Sequence, residues 1–380
     1  MATNSKIDRI DALTALRFPA AVMIVVHHSF GHFGLVPVLT RWGALYLDHA
    51  VSFFFILSGF IMVYVYGDLA GTRARRRFIV SRFARLWPAH FLTGLLFLVF
   101  IFPHQNFVYN TRHILTIGAN FLMLHSWLPQ MDCFFSLNPP SWCIADEFFF
   151  YLVFPFLIIN WRNAWPFKIA FSLLLVLMLV GVCHILRLPL NPPGTEPCIA
   201  GLVYVNPLAR VFEFMVGMVT GHYWKNSKWS CRLPTVLATI IEMGLLLLLV
   251  AGVLCTDQLL TLLPSFVGVP GRVWLCHTCM FPVLALLIFF MAGQKGMVAR
   301  LLNWKILVKL GEMSYALFLL HFVIIYIYAI LVESSLSSQR LQDYVYFWVV
   351  LLVSSFLFWR FFEEPCRRQI LSFYGRWCRN

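Results

Sequence analysis

Long apolar runs separated by short polar segments dominate the chain. Runs of about 20 apolar residues are long enough for an α-helix to cross a bilayer. We predict ten such spans, at about residues 18–36, 50–67, 86–103, 143–160, 167–186, 207–224, 233–254, 273–293, 312–332 and 344–362. A shorter segment, 114–126, contains Gly118, Asn120 and His125, so we expect a re-entrant or surface helix there. The pattern predicts an all-α integral membrane protein of about ten transmembrane helices with one short non-spanning helix.

The composition agrees with this pattern. Hydrophobic residues make up 61% of the 380 residues, and charged residues only 12%. A soluble domain has about 25% charged residues. These values exclude a disordered chain, a coiled coil and an ordinary soluble enzyme.

The net charge of +13 is explained by the threading of the chain. With ten spans, 23 of the 29 lysines and arginines fall on one side, which the positive-inside rule assigns to the cytoplasm. If 114–126 crossed the membrane, the basic segments 225–232 and 294–309 would lie outside. We therefore expect a multi-pass protein of the cytoplasmic (inner or plasma) membrane with both termini cytoplasmic. Since these charges mark topology and no stacking platform accompanies them, we expect no nucleic-acid partner.

Ionisable residues inside spans are candidate functional groups, because placing them in a bilayer costs several kcal/mol. Arg17 and His28 lie eleven residues apart. In an α-helix, eleven residues turn the chain to within about 20° of a whole number of turns, so both side chains share one helix face. Their positions are about 16 Å apart along the helix axis. Alternatively, Arg17 snorkels to the membrane surface and His28 hydrogen-bonds a neighbouring helix. Glu147 and His321 are further intramembrane candidates.

For two other groups of residues, a structural role competes with a catalytic or metal-binding role. Arg210 and Glu213 are three residues apart on one helix face, where a neutralising structural pair is slightly favoured over a catalytic one. Cys276-His277-Thr278-Cys279 resembles half of a metal site. No second pair at ligand spacing accompanies it, so we predict no metal.

Arg82 and Arg85 lie three residues apart at the predicted cytoplasmic mouth of the third span. Two guanidiniums on one helix face suit a phosphorylated ligand from the cytosol. The preceding arginines, within 73–77, are explained by topology or by lipid headgroups. Ser58-Gly59 lacks the pattern of a nucleophile elbow and favours close helix packing. Any group transfer is therefore expected to use a general base.

Seven features in order resemble the acyltransferase-3 family of membrane O-acyltransferases, and the similarity runs from about residue 10 to 368. They are Arg17 and His28 as R-x10-H, FFFILSGF at 53–60, SRFARLWP at 81–88, SWCIADEFFFYLVFP at 141–155, RVFEFMVGMVTG at 210–221, GEMSYALFLLH at 311–321 and FFEEPCRR at 361–368. Two positions depart from the family pattern. Ser52 stands where many members have Asp or Glu, and Phe149 where many have Gln.

The resemblance implies a single membrane acyltransferase domain over 1–380, with no separate soluble domain and no permanently bound cofactor. It implies transfer of an acyl group, most often acetyl, from cytoplasmic acyl-CoA to a hydroxyl of a carbohydrate, a lipid-linked sugar or a natural product. It gives a catalytic role to Arg17 and His28, a donor-binding role to Arg82 and Arg85, and a site role to Glu147. The two departures remove polar groups, so the acceptor is expected to differ from a typical surface sugar.

These roles define a mechanism in which His28 is the general base for the attacking hydroxyl. Glu147 would orient either His28 or the acceptor, and His321 is a second candidate base. A polytopic transporter or flippase, with the intramembrane Arg, His and Glu residues as a relay, is the alternative function.

Overall fold

The computed structural model describes residues 9–33, 46–67, 69–104, 111–192, 194–227, 232–332 and 340–378. The end of the first predicted span, 34–36, and the basic residue Lys228 lie outside these ranges.

The described chain folds into α-helices of very unequal length. The first eight are α1 Asp11–Ala15, α2 Arg17–His32, α3 His49–Tyr66, α4 Thr72–Leu96, α5 Thr111–Phe121, α6 Met131–Phe134, α7 Trp142–Leu157 and α8 Trp161–Ile185. The others are α9 Pro207–Ser227, α10 Thr235–Thr261, α11 Gly268–Thr278, α12 Phe281–Ala292, α13 Met297–Leu302, α14 Lys305–Val332, α15 Arg340–Phe358 and α16 Glu364–Trp377. Short π-helical and 3-10 turns extend several of them, among them the π-helical turn Trp359–Glu363.

Within the described ranges, nine helical stretches are long and apolar enough to cross a membrane. They are Asp11–His32, His49–Tyr66, Thr72–Ile101, Trp161–Ile185, Ala200–Ser227, Thr235–Thr261, Ser265–Ala292, Lys305–Leu331 and Leu341–Trp377. The predicted all-α polytopic membrane fold is confirmed, and nine of the ten predicted spans coincide with these stretches. Which side of the membrane holds the termini stays a prediction.

The remaining predicted span, 143–160, corresponds to α7, which is only 16 residues long. At 1.5 Å per residue it extends about 24 Å, less than the hydrocarbon thickness of about 30 Å. A 3-10 turn, Pro139–Ser141, leads directly into α7, and α8 begins four residues after its end. The helix packs against α3, α4 and α9 inside the bundle. Protein contacts therefore cover much of this shorter helix.

The predicted short helix is α5, with 11 residues, or about 16 Å. Polar residues in and around α5 hold the long loop between α4 and α7 against the bundle. The buried Asn120 side chain donates to the Ser136 carbonyl at 2.7 Å, and His90 of α4 bonds the Asn120 carbonyl at 2.8 Å. His125 bonds the Ser141 hydroxyl at 3.2 Å. Polar residues that would be costly in lipid thus tie the loop to the bundle.

Helices α3 and α9 pack at backbone distance along a seam of small residues. A Cβ added at Gly59 would overlap the Phe214 carbonyl oxygen, and one at Gly217 would overlap the Ile56 carbonyl oxygen. Small residues allow two membrane helices to approach at backbone distance. The expectation that Ser58-Gly59 permits close packing is met at Gly59. The seam fixes the position of α3, which carries Ser58 towards the bundle centre.

Helix α14 runs beside α2 and also contacts α1, α4 and α15. A Cβ at Gly311 would overlap the Thr14 carbonyl oxygen, so α1 is pressed against the start of α14. Helices α8, α10 and α15 expose large apolar side chains on the outer surface of the bundle, among them Phe171, Leu247 and Val353. Exposed apolar surface of this extent fits contact with lipid.

Candidate active site

A cavity of about 100 Å³ lies where α2, α3, α4, α7 and α14 meet. Arg17, Arg82, Arg85 and Glu147 all line it. The sequence assigned these residues to three separate segments, and the structure brings them into one cavity, which we call the arginine cavity. Ser314 and Tyr315 of α14 also line the cavity.

Arg82 is held by aromatic groups. Its Nη2 donates to the Tyr66 hydroxyl at 2.9 Å. The guanidinium carbon lies 5.2 Å from the Tyr66 ring centroid and 5.6 Å from that of Tyr151. Planar guanidinium groups favour such stacked positions and keep several N–H donors available for a ligand.

Glu147 is held by two hydroxyl groups. The Tyr151 hydroxyl, one helical turn further along α7, donates to the Glu147 carboxylate. The Ser58 hydroxyl lies 3.2 Å from the same carboxylate oxygen and 3.0 Å from the Tyr151 oxygen. Sequence reasoning missed the roles of Tyr151 and Ser58. The four-residue spacing between Glu147 and Tyr151 was the available signal, because it places both on one helix face.

Positive charge exceeds negative charge around the arginine cavity. Arg85 interacts electrostatically with Glu147 and with Glu363, which ends the π-helical turn before α16. Helix α16 packs on α4, and the positive charge of its Arg367 is near enough to Arg82 and Arg85 to be repelled by them. Among the described residues around this cavity, the guanidiniums of Arg17, Arg82, Arg85 and Arg367 outnumber the carboxylates of Glu147 and Glu363, an excess that suits a phosphorylated ligand.

His28 and His321 form a pair between α2 and α14. His28 Nδ1 lies 3.0 Å from His321 Nε2, and His321 Nδ1 lies 2.5 Å from the Phe318 carbonyl oxygen. The two rings are nearly parallel, with centroids 5.2 Å apart. His321 is fully buried, whereas His28 is partly exposed. The sequence named the two histidines as separate candidate bases, and the structure joins them.

The histidine pair adjoins the far end of the arginine cavity. Ile24 and Phe318 line the cavity, and each precedes one histidine of the pair by about one helical turn. Arg17 and His28 both face α14, as their spacing predicted, since Arg17 shares the cavity with α14 and His28 bonds His321. Glu147 lies with the arginines and bonds Tyr151 and Ser58. The partner of the His28 ring nitrogen Nδ1 is His321 and not Glu147.

A second cavity, of about 340 Å³, lies towards the opposite end of α14. Its lining includes Tyr326 and combines aromatic rings with the polar side chains of Asp132 and Ser136. The Phe322 ring contacts the His28 ring at 4.8 Å and the Tyr326 ring at 5.8 Å between centroids. Phe322 thus links the His28 ring to Tyr326, which lines the second cavity, and the His32 ring also contacts both Phe322 and Tyr326.

Arg210 and Glu213 form an ion pair at 3.1 Å, and both side chains are fully buried. The Arg210 guanidinium also lies 5.2 Å from the Phe55 ring centroid. Neither charged residue lines the arginine cavity. This arrangement favours the structural interpretation of the pair, because each charge is compensated by its partner within the bundle.

The His277 ring nitrogen Nδ1 contacts the Asp48 carboxylate at the start of α3, and the sequence did not reveal this contact because the residues are 229 positions apart. Burial acts to raise the pKa of Asp48, but the His277 imidazole outweighs it and holds that pKa below its usual range. The Ser52 hydroxyl donates to the His277 carbonyl at 2.7 Å. Ser52, one of the two departures from the family pattern, is therefore part of the packing between α3 and α11.

Comparison with known proteins assigns the chain to a family. A family model described as an acyltransferase domain matches residues 10–361. The acyltransferase MdmB of Streptomyces mycarofaciens is 26% identical over 335 residues, which cover 84% of this chain and 80% of that protein. The putative peptidoglycan O-acetyltransferase YrhL of Bacillus subtilis is 26% identical over 86% of this chain and 51% of its own length.

A third relative, the peptidoglycan O-acetyltransferase OatA of Listeria monocytogenes, is 22% identical over 94% of this chain and 55% of its own length. The chain thus spans about half the length of the two peptidoglycan relatives. No solved structure matches the chain. Because the acyltransferase model covers nearly the whole chain, from the first transmembrane helix to the last, the protein is a membrane acyltransferase and belongs to the acyltransferase-3 family.

Proposed function

We propose that the protein transfers an acetyl group from acetyl-CoA, whose phosphates bind at the arginine cavity, to a hydroxyl group that reaches His28 from the opposite side of the membrane. The observation that carries this proposal is that the arginine cavity extends to Ile24 and Phe318, which lie about one helical turn before His28 and His321 of the histidine pair. A cationic site for phosphates and an imidazole base thus lie along one face of α2.

The donor enters from the side where Tyr66 and Arg82 lie, which the distribution of basic residues assigns to the cytoplasm. Its phosphates bind Arg82 and Arg85, with Arg17 deeper in the cavity. The pantetheine arm then extends along α2 towards His28, over a rise of about 16 Å. Guanidiniums suit this task because they form paired, charge-assisted hydrogen bonds with phosphate oxygens.

Transfer proceeds by general-base catalysis. His28 takes the proton of the acceptor hydroxyl while the oxygen attacks the thioester carbonyl carbon. The new C–O bond forms, the C–S bond breaks, and the leaving thiolate takes the proton from the His28 imidazolium. The products are the acetyl ester and free CoA.

The acceptor is a carbohydrate, a lipid-linked sugar or a natural product with a free hydroxyl. Two relatives carry the name peptidoglycan O-acetyltransferase, which favours a glycan. The second cavity is a suitable entry site, because its aromatic rings can stack on a sugar or another ring and Asp132 and Ser136 can bind hydroxyl groups. Movement of the Phe322 ring would give such a ligand access to His28.

The test uses the purified protein in lipid nanodiscs. It is incubated with labelled acetyl-CoA and an extract of the membranes in which it is made, and labelled products are identified by mass spectrometry. Free CoA is measured in parallel, with His28→Ala protein as the control. We expect a labelled ester and CoA release that depends on the extract. Wild-type protein that yields neither would overturn the proposal and favour a transporter.

A further inference from the structure

We infer that His321 is a positioning residue, which fixes the tautomer of His28 so that Nε2 of His28 is the basic nitrogen. This inference rests on the proposed function, in which His28 is the general base. It assigns His321 a different role from the second base that the sequence suggested.

The first step concerns the His321 ring. Its Nδ1 lies 2.5 Å from the Phe318 carbonyl oxygen, and a carbonyl oxygen only accepts hydrogen bonds. Nδ1 must therefore carry the proton. A neutral imidazole has a single N–H, so Nε2 of His321 presents a lone pair.

The second step transfers this constraint to His28. The lone pair on His321 Nε2 faces His28 Nδ1 at 3.0 Å, so His28 Nδ1 must be the donor. The remaining nitrogen of His28, Nε2, is then unprotonated and able to accept a proton. The hydrogen bond made by one ring nitrogen sets the state of the other.

The surroundings keep His321 in this position. The residue is fully buried, and both of its ring nitrogens are engaged. The Asn138 side chain donates to the Leu319 carbonyl at 2.9 Å, which ties α14 to the long loop at this turn. His28 is partly exposed, so it is the member of the pair that an acceptor can reach.

The same hydrogen bond supports the charged state of His28. When His28 becomes an imidazolium, Nδ1–H still donates to His321 Nε2, and the Phe318 carbonyl accepts at the far end. The chain of donors ends on a neutral backbone group. His28 therefore needs no carboxylate as its hydrogen-bond partner, and such a partner would be costly to desolvate in the apolar interior.

Two substitutions separate positioning from proton transfer. In His321→Gln, the side-chain amide oxygen can replace Nε2 as the acceptor from His28, but it cannot act as a base. In His321→Ala the acceptor is lost. We expect kcat to fall about 10²- to 10⁴-fold in the alanine variant. We expect the glutamine variant to stay within about 10-fold of wild type, since the hydrogen bond that orients His28 is retained. The KM for acetyl-CoA should change little in either variant.

A glutamine variant as inactive as the alanine variant would show that His321 itself moves the proton. An unchanged kcat in His321→Ala would show that the pair has no role. Size-exclusion profiles and CoA binding equal to those of the wild type identify variants that fold correctly.

A spectroscopic measurement tests the inference without activity. In protein labelled with ¹⁵N-histidine, the His28 signals are assigned by their loss in His28→Ala. We expect His28 to carry its proton on Nδ1 in the wild type and in His321→Gln, and to populate both tautomers in His321→Ala. A wild-type His28 protonated on Nε2 would overturn the inference even if the enzyme proves inactive with acetyl-CoA, which would instead contradict the proposed function.

Discussion

Replacing Arg85 by alanine should weaken the binding of acetyl-CoA without removing the catalytic groups. Arg85 shares the arginine cavity with Arg17 and Arg82, so the cavity stays cationic when one guanidinium is lost. Hydrogen bonds to charged groups contribute about 1.5 to 3 kcal/mol each. At 1.4 kcal/mol per factor of ten, the KM for acetyl-CoA should rise about 10- to 150-fold.

The assay compares two donors. Initial rates are measured with acetyl-CoA and with S-acetylpantetheine, which lacks the nucleotide and its phosphates. If Arg85 binds a phosphate, Arg85→Ala should affect acetyl-CoA strongly and S-acetylpantetheine little. The matched control is Arg77→Ala, because Arg77 lies on the same helix, is exposed and does not line the cavity.

Equilibrium dialysis with labelled CoA gives the Kd directly, since KM equals Kd only when chemistry is slow. An Arg85→Ala protein with unchanged KM and Kd for the CoA ligands would refute phosphate binding at this residue. An equal loss with S-acetylpantetheine would also refute it, because the affected contact would then lie outside the nucleotide part of the donor.

Other substitutions test the base and the packing. His28→Ala should lower product formation by about 10²-fold or more, whereas His27→Ala, at the exposed neighbour, should stay active in the same assay. Tyr151→Phe removes a donor to the cavity carboxylate and should lower the free energy of unfolding by about 1.5 to 3 kcal/mol, measured by unfolding in detergent–SDS mixtures. Gly59→Ala should cost about 1 to 3 kcal/mol in that measurement because its Cβ overlaps a backbone oxygen. Gly244→Ala is the control, since its Cβ meets no atom within 4 Å, and a Gly59→Ala protein as stable as this control would contradict the close seam.

The fold was largely predictable because membrane spans depend on a local property, the length of an apolar run. Nine predicted spans coincide with helices long enough to cross. The exception, α7, is just as apolar, but the turn Pro139–Ser141 and the start of α8 at Trp161 limit its length. Helix ends are set by turns and by packing against neighbours, which hydropathy does not encode.

The candidate site was predictable residue by residue but not as an assembly. Arg17, His28 and Glu147 stood out because charged and imidazole groups are rare in apolar helices. The contact of His28 with His321 joins residues 293 positions apart, and no local pattern reveals such a pair. Tyr151 was hidden for another reason, since a tyrosine among phenylalanines in an apolar helix is ordinary until its hydroxyl partner is known.

The position of Phe322 has an electrical consequence. The proposed function, with one substrate arriving from each side of the membrane, requires that the enzyme not leak ions. The Phe322 ring contacts both the His28 ring and the Tyr326 ring, and His321 is fully buried, so protein side chains occupy the level at which the two substrates would meet. In the proposed function the acetyl group crosses the membrane at this level by exchange from sulfur to oxygen, so no open channel for the donor is needed.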